Sequence, residues 1–235
     1  MSGERTMRII TTFQSFTHNH LIHFCAIGGF VYLPLINKEW FGWITYFLGI
    51  LAHPFYPAAD VMVVGMLVAR IIHRICGFGI IAIATLYFVV QLREYKKWEI
   101  TRLGGELMDL YRHYFKGEHA EFGRYNPGQV LFFWVFALPC VAVASGSGLV
   151  LVFSDFFGPQ AAGTALFFHD LAFYWGVMGL IFHFVAGIVI PENRPAAHAM
   201  FRTGEVPESY VKEHHSLWYH RLQLKEFEKE IREGK

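Results

Sequence analysis

Four stretches of this 235-residue chain, 21 to 37, 75 to 92, 130 to 153 and 166 to 190, are long, apolar and free of lysine and glutamate, with Asp170 near one end. A helix needs about 20 largely apolar residues to cross the hydrocarbon core of a bilayer. Four such stretches predict an all-α integral membrane protein, a four-transmembrane-helix bundle. Composition agrees, since 54% hydrophobic and 17% charged residues do not describe a soluble globule.

Several classes are excluded early. The first twenty residues contain no compact apolar core followed by a small-residue cleavage site, so no removable signal is read and the first span serves as anchor. A formal charge of +1, with no basic stripe outside the membrane flanks, gives no footprint for nucleic acid. Cys25, Cys76 and Cys140 all fall in apolar sequence without a CxxC or CxxCH pattern, so they read as packing residues, and any heme is held noncovalently.

Lysine and arginine orient the spans. Arg5 and Arg8 precede the first; Arg93, Lys96, Lys97, Arg102, Arg112, Lys116 and Arg124 lie between the second and third; eight more follow from Arg194, and none lies between the third and fourth. Both termini and the middle segment are therefore expected in the cytoplasm. The apolar segment 40 to 69, broken by Pro54 and Pro57, reads as interfacial helices or a partner-docking surface. A fifth crossing there would put the charged middle segment outside. Residues 1–194 read as the membrane domain, and 195–235 as a polar, solvated cytoplasmic tail.

Histidines carry the chemistry, because ionisable groups within spans are rare and usually functional. A lone one would as readily make an interhelical hydrogen bond. Here His169 and His183 lie 14 residues apart in the fourth span, a spacing that returns them to within roughly 40° of one helix face and separates them by ~21 Å. His23, near the cytoplasmic start of the first span, matches the depth of His183. His73, at the opposite end of the second, matches His169. Two stacked bis-histidine pairs suit the axial positions of two b-type hemes, whereas zinc or copper usually gathers three or four protein ligands at one point. His18 and His20 rival His23, which lies deeper in apolar sequence, and His53 rivals His73 but is flanked by prolines. Gly28, Gly29, Gly146, Gly148 and Gly176 would let a flat macrocycle approach the backbone. His113, His119, His198, His214, His215 and His220 lie in polar segments and read as solvated or supporting.

The sequence RIIH ending at His73, GRYNPGQ from Gly123 to Gln129, the His169 and His183 spacing, and HHSLWY from His214 to Tyr219 together resemble the cytochrome b (gamma) subunit of membrane-bound formate dehydrogenase. That family is related to the cytochrome b subunits of nickel–iron hydrogenases. The resemblance implies a cytoplasmic (inner) membrane subunit that takes electrons from an extracytoplasmic catalytic subunit through an iron–sulfur subunit. It passes them by an outer and an inner heme to menaquinone near the cytoplasm. It also implies that Asn126, Gly128 and Gln129 form part of a quinone pocket beside His183, where NPG could otherwise be a simple turn. The family's first-helix ligand follows an arginine by three residues, a place that His20 takes here. The 40 to 69 segment is longer than in the relatives.

The expected role is therefore electron transfer within an oxidoreductase complex, with a quinone-reducing site and no primary substrate site. The same carrier could serve a nickel–iron hydrogenase or a sulfur-compound oxidoreductase. A heme-free membrane anchor or transporter is the alternative of another class.

Overall fold

The computed structural model describes residues 5–93, 107–118 and 120–233. Lys96, Lys97, Arg102 and His119 lie outside them, as does the side chain of His113. The described chain is mostly helical. In order it contains β1 (Thr6–Arg8), α1 (Thr12–Phe30), α2 (Leu33–Ile36), α3 (Lys38–Ala52), α4 (Val61–Arg93), α5 (Leu107–Lys116), α6 (Pro127–Phe132), α7 (Leu138–Val152), α8 (Ser154–Phe157), α9 (Pro159–Phe184), α10 (Arg194–His198), β2 (Glu205–Pro207), α11 (Glu208–His214) and α12 (Ser216–Glu233). A π-helical turn joins α6 to α7, and others follow α9 and α10. Three continuous helices, Val61–Arg93, Pro127–Val152 and Pro159–Val189, are long and apolar enough to cross a membrane. The chain folds as two compact units, one of residues 16–90 and 140–174, the other of the remainder.

In the first unit the expected spans shift. Where 21 to 37 was predicted, α1 runs from Thr12 to Phe30, and Pro34, which has no N–H to continue a helix, begins the separate α2. Where 75 to 92 was predicted, α4 begins at Val61, with Asp60 Oδ1 accepting from the amides of Met62 and Val63 at 2.8 and 3.2 Å. Its 33 residues extend about 50 Å.

Glycines let the other helices lie close against it. A methyl group on Gly79 would meet the Phe24 ring at 2.7 Å, and one on Gly28 would sit 2.9 Å from Cys76 Cβ. One on Gly65 would collide with the Thr45 carbonyl, and one on Gly49 with that of Val61. Partners of α4 thus ascend as 24, 28, 45 and 49 while α4 itself descends as 79, 76, 65 and 61. So α1, the break around Pro34, and α3 run in succession along α4, antiparallel to it. Within the segment read as interfacial helices or a partner-docking surface, α3 packs side by side with the first half of α4.

In the second unit, two of the backbone irregularities fall at prolines. Pro139 cannot donate to the Val135 carbonyl, and the Trp175 indole N–H takes that place at 2.9 Å, its ring stacked 4.9 Å from Phe136. Pro191 likewise withholds a donor beyond α9. Asn193 Nδ2 then donates to Ala186 O at 2.8 Å and Arg194 Nε to Ile188 O at 3.0 Å, the cation suiting the negative end of the helix.

The segment after Pro195, read as solvated tail, is folded through Tyr219. Ala199, Val206, Tyr210, Val211 and Tyr219 form a buried cluster against Met7, Ile9 and Ile10. Strand β2 pairs antiparallel with β1, Met7 opposite Val206. Gly204 turns the chain into β2 at φ 73°, where a side chain would be strained. Beyond that point α12 carries mostly exposed, charged positions, as the sequence suggests.

Candidate functional site

In the first unit, α4 and α9 bring the rings of His73 and His169 together nearly perpendicular, with centroids 5.9 Å apart and planes at 79°. Each ring is held from behind. His73 Nδ1 lies 2.9 Å from the Gly28 carbonyl, which can only accept, so Nδ1 carries the hydrogen and Nε2 keeps its lone pair. His169 Nδ1 lies 3.0 Å from Ser147 Oγ, whose own proton goes to the Val143 carbonyl at 2.5 Å. The serine oxygen therefore accepts from Nδ1–H, and His169 too presents Nε2 as the free base. A ring nitrogen tied to a carbonyl or hydroxyl is how ligating histidines are oriented and their tautomer fixed. Tyr32 stacks on His73 at 4.2 Å.

This arrangement fits the axial positions of an iron porphyrin. With metal–imidazole bonds of about 2 Å on opposite sides of one ion, ring centres fall about 6 Å apart. Gly77, one turn beyond His73, has no atom within 4 Å of where a Cβ would stand, leaving open space on the ligand side of α4. Gly148 abuts the His169 ring at 3.2 Å and Gly29 lies under Phe173, while Gly146 adjoins nothing. Among the described residues no three His, Cys, Asp or Glu side chains gather as a zinc or copper site would require.

The histidines of α1 occupy different faces. Counting roughly 100° per residue, Phe24 and Gly28 point to α4 and Gly29 points to Phe173 of α9. His18 shares the side of Cys25 and Gly29. His23 lies nearly opposite, beside Phe30, which is exposed and packs edge-on against Trp43 of α3. His23 bonds the Asn19 carbonyl one turn back at 2.5 Å, and His20 the Phe16 carbonyl at 2.8 Å. His53 sits in a short 3-10 turn between α3 and α4.

In the second unit His183 closes the last α-helical turn of α9 and stacks on Phe132, centroids 5.0 Å apart. Phe132 ends α6, which GRYNPGQ opens. Asn126 is its N-cap. Asn126 Oδ1 accepts from the Gln129 amide at 2.9 Å and Gln129 Oε1 from the Asn126 amide at 3.0 Å. Since backbone N–H groups need oxygen acceptors, both side-chain orientations are set. Each residue is left with an NH2 group not used by the cap, a pair of donors suited to a carbonyl oxygen.

Residues outside the motif hold this loop. His215 is buried and donates from Nδ1 to Gly123 O at 2.9 Å, and the Leu217 amide donates to Phe122 O at 3.2 Å. Burial pushes His215 below the usual imidazole range, so it stays neutral at physiological pH. Arg124 lies 5.7 Å from the Trp218 ring centre, and Gln14 Nε2 donates to Tyr125 Oη at 3.2 Å. HHSLWY is thus a brace for GRYNPGQ. The sequence signal for the other supporting residue, Ser147, is the polar interruption SGSG at 145 to 148 in an otherwise apolar span.

No curated protein matches the chain. Residues 39–203 match a family described as prokaryotic cytochrome b561, a stretch that contains His73, His169, His183 and GRYNPGQ. With more than half its length so matched and with facing imidazoles in its membrane helices, the chain belongs to the prokaryotic cytochrome b561 family, membrane cytochromes carrying electrons on b-type heme.

Proposed function

We propose that this chain is the di-heme membrane subunit of a respiratory dehydrogenase, delivering electrons from an extracytoplasmic partner to menaquinone on the cytoplasmic side. The observation that carries the reading is the His73–His169 pair, two imidazoles 5.9 Å apart whose Nδ1 atoms are both engaged behind them. His73 and His169 hold the outer group. His183 holds the inner one with a histidine of α1, His23 by its depth in the sequence or His18 by its helix face. Heme bound in these places supplies reversible one-electron carriage. The division of α1 and α3 along α4 supports a four-crossing topology, the two short helices together making the first crossing.

At the cytoplasmic end Asn126 and Gln129 offer amide donors to a quinone carbonyl, with Gly128 between them in the same motif. Reduction to quinol takes two electrons and two protons, and a site facing the cytoplasm draws its protons from there. The electrons reach the chain from an iron–sulfur subunit and a catalytic subunit resembling those of formate dehydrogenase. A nickel–iron hydrogenase would use the same chemistry at this subunit.

Purified protein should show a reduced-minus-oxidised spectrum of b-type heme, and a pyridine hemochrome assay should give two extractable hemes per chain. One heme, or none, would overturn the ligand assignment. Copurification with a molybdenum- or nickel-containing subunit would identify the donor.

A further inference from the structure

A groove between α3 and α4 continues from the face of α4 that carries His73. Its walls include Lys38, Gly42 and Thr45 on α3, and Met62, Met66 and Arg70 on α4. Met62 and Met66 point within roughly 20° of the direction of His73, and Arg70 lies one turn before it, roughly 60° around. Thr45 abuts Gly65, and α3 runs antiparallel to α4. The seven residues from Thr45 back to Lys38 therefore bring Lys38 alongside the turn of Arg70. Two cations thus stand at one end of an otherwise apolar groove, next to a heme ligand.

Neither cation has an ion-pair partner among the described residues. Asp170, which follows His169, pairs with neither. A charge within a membrane segment is costly and implies a counter-charge. Heme b carries two carboxylates, its propionates, at one edge of the ring. We propose that Lys38 and Arg70 bind the propionates of the heme held by His73 and His169. The count of charges, their shared end of the groove and its continuity with the His73 face all match that occupant. This rests on the di-heme reading above and adds the orientation of the outer heme within it.

Two positive charges at the propionates favour the reduced heme, because they offset the negative charge that reduction adds. Whole protein, made without heme and then loaded with heme b, is titrated spectroscopically beside the K38Q and R70Q variants. Each variant should keep two hemes while the outer one shifts to lower potential, its reduced-to-oxidised ratio at fixed potential falling several-fold. The unchanged chain loaded with heme dimethyl ester, which lacks the propionates' negative charge, should shift the outer heme the other way, to higher potential, and K38Q and R70Q should then lower it by less than they do with heme b. That arm does not depend on how the variants fold.

An unshifted outer heme in both variants would overturn the proposal, as would a variant effect undiminished with the ester. Loss of tightly bound anionic phospholipid from the variants, with the heme potential unchanged, would assign the cations to a lipid headgroup instead. If wild-type protein binds no heme, the di-heme reading itself fails; if it binds two and the variants behave as wild type, only this inference does.

Discussion

On the proposed reading, Asn126 and Gln129 each perform two tasks with one amide. Their oxygens cap α6 through the reciprocal bonds to Gln129 N and Asn126 N, and their NH2 groups remain to donate. Replacing Asn126 with alanine removes both at once, costing about 1 kcal/mol of helix capping along with the donor. Asn126→Asp separates them, because aspartate is as good an N-cap acceptor and has no amide hydrogen. That variant should retain both hemes and their reduction by the partner, yet slow their reoxidation by a menaquinone analogue. Reoxidation at the wild-type rate would place the quinone elsewhere and leave GRYNPGQ as a helix entry alone. The motif's residues were legible in the sequence; the division of labour within each amide was not, since it depends on which atom the cap uses.

At the scale of helices, length of apolar run and charge located α7 and α9 closely, because only small or isolated polar residues, those of SGSG in α7 and His169, Asp170 and His183 in α9, interrupt them. They failed for the first two spans for opposite reasons. Arg70, His73 and Arg74 break the apolar pattern of α4 and hid its first turns, while Pro34 sits in apolar sequence and hid the end of α1. The same blindness bears on ligand choice. Depth in apolar sequence favours His23, whereas the helix wheel, fixed by the Gly28–Cys76 and Gly29–Phe173 approaches, puts His18 on the side that faces the other helices. On that geometry His18→Ala should lose one of two hemes and His23→Ala neither, as counted by hemochrome. The reverse result would restore His23 and mean that α1 turns on its axis when heme is bound. The approach of His73 to His169 was legible from the direction of the spans and the depth of each residue, but Ser147 and the Gly28 carbonyl, which hold the rings, are tertiary partners that no spacing announces.

Across the whole molecule, the polar C-terminal segment was misread because it is short and hydrophilic on average. The five residues of its buried apolar cluster pack against Met7, Ile9 and Ile10. Removing residues 205–235 should therefore expose the amides of Gly123 to Gln129 to rapid hydrogen exchange, since β2, His215 and the Leu217 amide are lost. The His73–His169 pair lies in the other unit, so the outer heme should stay bound. Exchange as slow as in the full chain would show that the loop stands without its brace. The pairing of β1 with β2 joins residue 7 to residue 206, and so it sets a clock on biosynthesis. Strand β1 must wait, unpartnered, until residues 205 to 207 have been made. A chain abandoned before that point has an open strand edge and a GRYNPGQ loop without its brace, features by which a protease can distinguish it from the finished product.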